Sequence, residues 1–207
     1  GILESQEKSC TINKDYIYLD DVTKKTQETM SIQYYIPTMT MNTIKRDKRI
    51  IELDYLKNGY TINYNGYVEK IHNEINKLTS KFEDFKELIS CSLRAIFEIS
   101  ADEIENCDKY NNRFYDKELK KEIENIIMYV VSNPSIMSEI SNSTRINYKD
   151  LMKKIKIEDF KNAIDNAHMG AHKSSTYLSS NDILDLAQKA GYFMVITNEM
   201  INNENIQ

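Results

Sequence analysis

Two of the three histidines of the chain, His168 and His172, lie four residues apart near its C-terminal end. They fall in the segment 157–172, which has the apolar spacing of a helix, so both imidazoles share one helix face. Such a pair can bind a metal ion if a further ligand comes from elsewhere. An imidazole with a pKa of ~6.5 can also donate or accept a proton in chemistry on RNA. The spacing therefore indicates a small-ligand or metal site, or an acid–base site.

Neighbouring residues limit both interpretations. The residues between the histidines, Met169 to Ala171, lack the Glu that serves as general base in His-Glu-x-x-His metalloproteases. A metal would need a third ligand from His72, from a carboxylate or from a cysteine. Asn162, Asn166 and Lys173 lie within two turns and could hold a phosphate beside an imidazole. The simplest alternative is one histidine in solvent and the other bonded to a carboxylate.

Arg94 and Glu98 lie four residues apart beside an apolar stripe, on an earlier predicted helix. Charged side chains so close to a core normally have a partner. One interpretation is an ion pair within the helix that fixes its register. The other is that both side chains point into a polar interior shared with the histidine helix, where they orient an imidazole.

The most basic stretch of the chain precedes the predicted hairpin and contains four cations: Lys45, Arg46, Lys48 and Arg49. A solvated loop is the favoured interpretation, and a nucleic-acid contact is the alternative. The net charge of −5 gives no general attraction to nucleic acid, so such a contact would depend on a local patch of this kind. No P-loop, Gly-x-Ser-x-Gly elbow or dinucleotide fingerprint is present, so no cofactor is expected.

Composition places the protein among globular helical proteins. The 207 residues include five Gly and two Pro, with 41% hydrophobic and 29% charged residues. The three cysteines are widely spaced, which is typical of a reduced, cytoplasmic protein. No apolar run reaches ~18 residues and Gly1-Ile-Leu-Glu4 does not resemble a secretory signal, so no membrane association is expected. Because the chain starts with Gly rather than Met, we expect it to be part of a longer protein.

Residues 1–66 are predicted to form a β-rich segment with a hairpin at 49–64. Asn58-Gly59 supplies the two positive φ angles of a tight type I′ turn between two runs of β-forming residues. A lone hairpin is marginally stable in water, so it should pack on the helices or join a small sheet.

Residues 67–207 are predicted to form a bundle of four or five helices, which makes the fold mainly α with a small N-terminal β part (α+β). Apolar residues recur at gaps of three and four over 67–99, which predicts a long helix or two helices with a bend near Thr79-Ser80. Later helices are predicted to begin at the signals Asp116, Pro134, Asn147 and Ser180 or Asn181.

The stretch Leu93-Arg-Ala-Ile-Phe-Glu-Ile-Ser-Ala-Asp-Glu-Ile104 resembles a helix of small domains in bacterial defence and ParB-like nuclease proteins. In those proteins a later helix carries a histidine, followed by a short loop and a closing amphipathic helix. The order of 160–172, 173–180 and 181–200 is similar. Residues 67–201 therefore resemble the HEPN superfamily of helical bundles, many of which are dimeric RNases or nucleic-acid-associated modules.

The resemblance implies an interaction or dimerisation module of a prokaryotic nucleic-acid-processing or phage-defence system. Its partners would be a second copy or another protein, with RNA or DNA as a further contact. The family's RNase motif is an Arg and a later His separated by four to six residues, and here no Arg precedes His172 at that spacing. The resemblance assigns catalysis to His172, with Asn166 in place of the arginine and with Glu98 on the earlier helix. The missing arginine makes a non-catalytic module at least as plausible as a metal-independent RNase.

Overall fold

The structure of the protein is a computed structural model that describes residues 49–51, 59–172, 178–204 and 206, with only the backbone of 170–172. All of these residues belong to one compact unit, Arg46–Gln207. Most of the predicted β-rich segment 1–66 lies outside the described residues. That segment and its boundary at residue 66 stay predictions.

The described part of the chain folds into seven α-helices and one 3-10 helix, which confirms a mainly helical bundle. They are α1 (Gly66–Lys77), the 3-10 helix Thr79–Asp84, α2 (Lys86–Glu105), α3 (Leu119–Ser132), α4 (Pro134–Thr144), α5 (Tyr148–Lys154), α6 (Ile157–His172) and α7 (Ser180–Asn202). No strand occurs among the described residues. Because 52–58 lie outside them, the hairpin at 49–64 stays a prediction, although Gly59 has the positive φ of +79° that its turn would need.

The bend predicted near Thr79-Ser80 is confirmed, and it divides one apolar stripe between α1 and α2. The Thr79 hydroxyl donates to the Asn76 carbonyl at 2.7 Å, so a side chain satisfies an acceptor at the end of α1. Lys81 then has a non-helical φ of −119°. Phe82 stays buried, so the stripe continues across the break. The bundle therefore has more helices than the four or five predicted.

Helix starts follow local signals at most positions. Asn147 accepts from the Lys149 N–H and caps α5 as predicted, and Pro134 opens α4 as predicted. The predicted cap of α3 at Asp116 is wrong. Glu118 is the N-cap residue, and Asp116 accepts a hydrogen bond from its N–H at 2.9 Å, two residues before the helix.

Helix α7 forms the centre of the core, since almost every residue from Lys189 to Met200 is buried. Helix α2 runs beside it in the same direction. At one end the Ser180 hydroxyl donates to Glu83, and at the other the Tyr110 hydroxyl donates to the Met200 carbonyl. Helix α6 packs against both. Three fully buried rings join them, with ring centroids 5.4 Å apart for Phe97–Phe193 and 6.3 Å apart for Phe160–Phe193.

The irregular segment 59–65 packs against the C-terminal half of α7. The Tyr60 hydroxyl donates to Glu199 Oε1 at 2.7 Å, and the Asn63 N–H donates to Asn198 Oδ1 at 3.0 Å. Ser143 of α4 donates to the other Glu199 oxygen at 2.8 Å. Burial, followed by the Glu199 charge, raises the pKa of Tyr60 far above its usual range. This partly buried polar network fixes the chain entering α1 to the helical core.

Candidate functional site

Arg94, Glu98 and His168 meet on the surface where α2 packs against α6, and we refer to them as the Arg94 cluster. Arg94 Nε donates to Glu98 Oε1 at 2.7 Å, one turn further along α2. Arg94 Nη1 lies 2.9 Å from His168 Nδ1 on α6. Both sequence interpretations of Arg94 and Glu98 thus describe part of the geometry. The two side chains form an ion pair within α2, and the arginine also contacts an imidazole.

Apolar neighbours on both helices position the cluster. On α2, Leu93 and Phe97 are fully buried, which places Arg94 and Glu98 along the edge of the buried stripe. On α6, the fully buried Ala167 precedes His168 and lets the two helices approach closely. The Arg94 side chain is 21% exposed and Glu98 46% exposed, so the cluster is open to a solute while its arginine is held on two sides.

The contact between Arg94 and His168 defines a tautomer. A guanidinium has five N–H donors and no acceptor, so Nδ1 of a neutral His168 accepts and its proton lies on Nε2. The two contacts of Arg94 use two of those five donors. The cluster therefore presents a fixed guanidinium with further N–H donors and an imidazole at its side. The guanidinium can bind an oxyanion, and Nδ1 of the imidazole can accept a proton if Arg94 turns to that anion.

The other site residues predicted from the sequence either lie away from the Arg94 cluster or have side chains outside the described part of the chain. Asn166 is half-buried two positions before His168, and residues two apart on a helix do not share a face. His72 is buried on α1 with Nε2 3.2 Å from Asn76 Nδ2, and burial lowers its pKa. The side chain of His172 is not described, so its catalytic and metal roles stay predictions. In the described part of the chain, no three His, Cys, Asp or Glu side chains are arranged to hold a metal ion.

The basic stretch before the predicted hairpin is described only at Arg49, which is exposed. Its charge contributes to the lowered pKa of His72. Lys45, Arg46 and Lys48 lie outside the described residues. A nucleic-acid contact through these four cations stays a prediction.

Sequence reasoning missed a pair of carboxyl groups formed by the half-buried Glu105 and the buried Glu122. Burial, followed by the Glu105 charge, raises the pKa of Glu122 to about 8. The sequence did contain a signal. Leu119, Glu122 and Ile126 follow one another at gaps of three and four, which places Glu122 on the apolar face of α3.

Comparison of the chain with protein-family models, with curated proteins and with solved structures finds no significant match. The HEPN-like resemblance therefore stays a prediction, and function must be argued from the geometry. No helix in the described ranges is long and apolar enough to span a membrane.

Proposed function

We propose that this protein is an interaction module of a prokaryotic nucleic-acid-processing or defence system, assembling with a second copy or a partner protein, and that its Arg94 cluster binds the phosphate backbone of RNA. The observation that supports this proposal is the 2.9 Å contact between Arg94 Nη1 and His168 Nδ1. It holds the side chain best suited to bind a phosphate in a fixed position beside a second polar side chain.

The geometry favours phosphate over other anions because of how the arginine is held. Glu98 engages the Nε atom, which fixes the plane of the guanidinium and leaves further N–H donors for a ligand. Arginine binds phosphate through paired, charge-assisted hydrogen bonds whose geometry a lysine cannot reproduce. Because the chain carries a net charge of −5, we expect weak binding that strengthens at low salt.

Replacing the guanidinium tests the phosphate site. We expect Arg94→Gln to weaken binding of a fluorescein-labelled single-stranded RNA about tenfold at low salt, because one charge-assisted contact is worth about 1.5 kcal/mol or more. We expect the affinity of Arg94→Lys to lie between those of Arg94→Gln and wild type, because lysine keeps the positive charge but lacks the paired N–H donors of the guanidinium. Fluorescence anisotropy titration measures the dissociation constants, and circular dichroism checks that each variant folds.

The matched control for this measurement is Lys77→Gln, which removes one exposed positive charge at the end of α1. Its affinity should stay within twofold of wild type. Equal losses for Lys77→Gln and Arg94→Gln would show that only the overall charge matters. Wild-type affinity in Arg94→Gln would leave the cluster a purely structural contact between α2 and α6.

A second function, metal-independent RNA cleavage, is favoured by the position of His168 beside Arg94. Such cleavage needs a proton acceptor for the attacking 2′-hydroxyl and a proton donor for the leaving 5′-oxygen. If Arg94 turns from His168 Nδ1 to the phosphate that is attacked, Nδ1 can accept the proton of the 2′-hydroxyl, and the imidazolium so formed can return that proton to the leaving 5′-oxygen. The family pattern assigns this role to His172 with Asn166, whereas the geometry of the described residues favours His168 with Arg94.

Cleavage assays on single variants separate these assignments. If the protein cleaves RNA in the presence of EDTA, we expect His168→Ala to lower the rate about a hundredfold, in the range of lost acid–base catalysis. The parallel variant His172→Ala should then retain most of the activity. The reverse result would favour the family assignment, and unchanged cleavage in both variants would eliminate a histidine-dependent RNase.

A further inference from the structure

The carboxyl pair Glu105–Glu122 joins two helices at opposite ends of the loop 106–118. Glu105 is the last residue of α2, and Glu122 lies in the first turn of α3. Glu122 is 6% exposed, and the two carboxyl groups are close enough to hydrogen-bond each other. One oxygen of each, Oε1, is buried and has no hydrogen-bond partner among the described residues. These two oxygen atoms are therefore shielded from solvent, while Glu105 as a whole is half-buried.

The charged groups around the pair offer it no cation. Asp102 of α2 and Asp116 of the loop add further negative charge and oppose ionisation of Glu122. The last turn of α2 contains no basic residue, and its helix dipole adds partial negative charge at Glu105. Most cations of α3, α6 and the loop are engaged elsewhere: Lys120 with Asp165, Lys121 with Glu118, Lys161 with Glu124 and Glu158, Lys109 with the Met200 and Asn203 carbonyls, and Arg113 over the Tyr129 ring. The remaining cation of the loop, Lys117, is exposed to solvent.

Two carboxylates in contact, one buried and one half-buried, would repel each other if both were ionised with no cation between them. A hydrogen bond between two carboxyl groups requires a proton on one of them, because an ionised carboxylate has only acceptors. The arrangement is therefore consistent with a pair that shares one proton. The pKa of Glu122, raised to about 8 chiefly by burial and next by Glu105, agrees with this state at neutral pH.

The loop that the pair closes carries a cluster of aromatic rings. Tyr110 and Phe114 pack against each other and against Tyr129 of α3, with centroids 5.2 to 6.3 Å apart. The Tyr110 hydroxyl also donates to the Met200 carbonyl near the end of α7. Opening this corner would expose the aromatic rings and release a contact with the central helix.

We propose that Glu105 and Glu122 form a proton-dependent latch, which holds the loop 106–118 closed while the pair shares a proton and loosens it when that proton is lost. The direction follows from linkage. A carboxyl whose pKa is higher in the closed state than in the open state stabilises the closed state. This stabilisation is complete when the pH is below the pKa of the open state, and it is lost as the pH rises through the closed-state pKa of about 8. For a single group with that pKa, the equilibrium constant for closing the loop falls about tenfold between pH 7 and pH 9.

Hydrogen–deuterium exchange of the full chain at pH 6, 7, 8 and 9 tests the latch, after correction for intrinsic exchange rates. In wild type, protection of amides in 106–118 and in the first turn of α3 should fall about tenfold from pH 7 to pH 9. Amides in the middle of α7 should keep their protection. Glu122→Gln replaces the carboxyl by a neutral amide of similar shape. In this variant the loss of amide protection between pH 7 and pH 9 should disappear.

Glu74→Gln is the matched control, because Glu74 is exposed on α1. This variant should show the same loss of protection between pH 7 and pH 9 as wild type. The same pH-dependent loss in Glu122→Gln, or an equal loss of protection throughout the chain, would overturn the proposal. A carbon-13 carboxyl titration of wild type by NMR gives an independent check that does not depend on how the variant folds. One carboxyl should titrate near pH 8, and titration of every carboxyl below pH 6 would eliminate the latch.

Discussion

Phe193→Ala should lower the free energy of unfolding by about 4 kcal/mol, the range measured for deleting a fully buried aromatic side chain. The Phe193 ring is fully buried and touches Phe97 of α2 and Phe160 of α6, so its removal leaves a cavity where three helices meet. The cavity cannot close easily, because α7 is surrounded on most sides. Urea denaturation followed by circular dichroism at 222 nm measures the change.

The control is Phe85→Ala, which deletes the same atoms from a ring that is 37% exposed. Its loss should be about 1–2 kcal/mol, because more than a third of the residue already contacts water. Both variants should shift the denaturation midpoint with an unchanged slope, as expected for two-state unfolding. Losses of equal size would contradict a core centred on α7.

The features predicted correctly from the sequence are those set by local physics. Asn133-Pro134 ends one helix and begins the next because a proline has no N–H to donate and its fixed φ suits a first helical position. Asn147 caps α5 because its side chain reaches N–H groups of the following turn. The Asp116 cap failed by two residues, which is the usual uncertainty of a helix end.

Non-local packing decided what the sequence did not predict. Lys189, Thr197 and Glu199 are polar residues that the spacing of apolar residues assigned to no buried face, yet all three are buried because other segments cover α7 on nearly every side. Each is satisfied by a hydrogen bond: Lys189 to Asp159, Thr197 to the Phe193 carbonyl, and Glu199 from Tyr60. The partners of Lys189 and Glu199 lie on other parts of the chain, so no local sequence pattern predicts that these two residues are buried.

The candidate site was predictable only in part for the same reason. The spacing of Arg94 and Glu98 indicated a polar edge on α2, and the spacing of His168 and His172 indicated a helix face. Which histidine meets the arginine depends on the register between α2 and α6, which the packing of Phe97 and Phe160 around Phe193 determines. A motif sought along α6 alone could not predict that Arg94, on α2, contacts His168.

The second large effect is expected at the ion pair of Lys189 and Asp159, which joins α7 to α6. Lys189 is 8% exposed, and its Nζ donates to Asp159 Oδ2 at 2.8 Å and to the Lys154 carbonyl, at the end of α5, at 3.1 Å. Asp159→Ala leaves the ammonium buried with only a carbonyl acceptor. Breaking a buried pair costs about 3–5 kcal/mol, but because the Asp159 side chain is 38% exposed we expect about 2–3 kcal/mol.

A double-mutant cycle separates the buried charge from the rest of this effect. Lys189→Met keeps most of the stem volume without the charge, so it should cost less than about 1.5 kcal/mol. In the Lys189→Met background, Asp159→Ala should then cost little, which corresponds to a coupling energy of at least about 1 kcal/mol. An exposed pair, Glu118 with Lys121 at 3.2 Å, provides the comparison, and Glu118→Ala should stay within about 0.5 kcal/mol. Additive losses at Lys189 and Asp159 would show that the two residues stabilise the helices independently. Non-additivity would establish that a charge buried between α7 and α6 requires its partner.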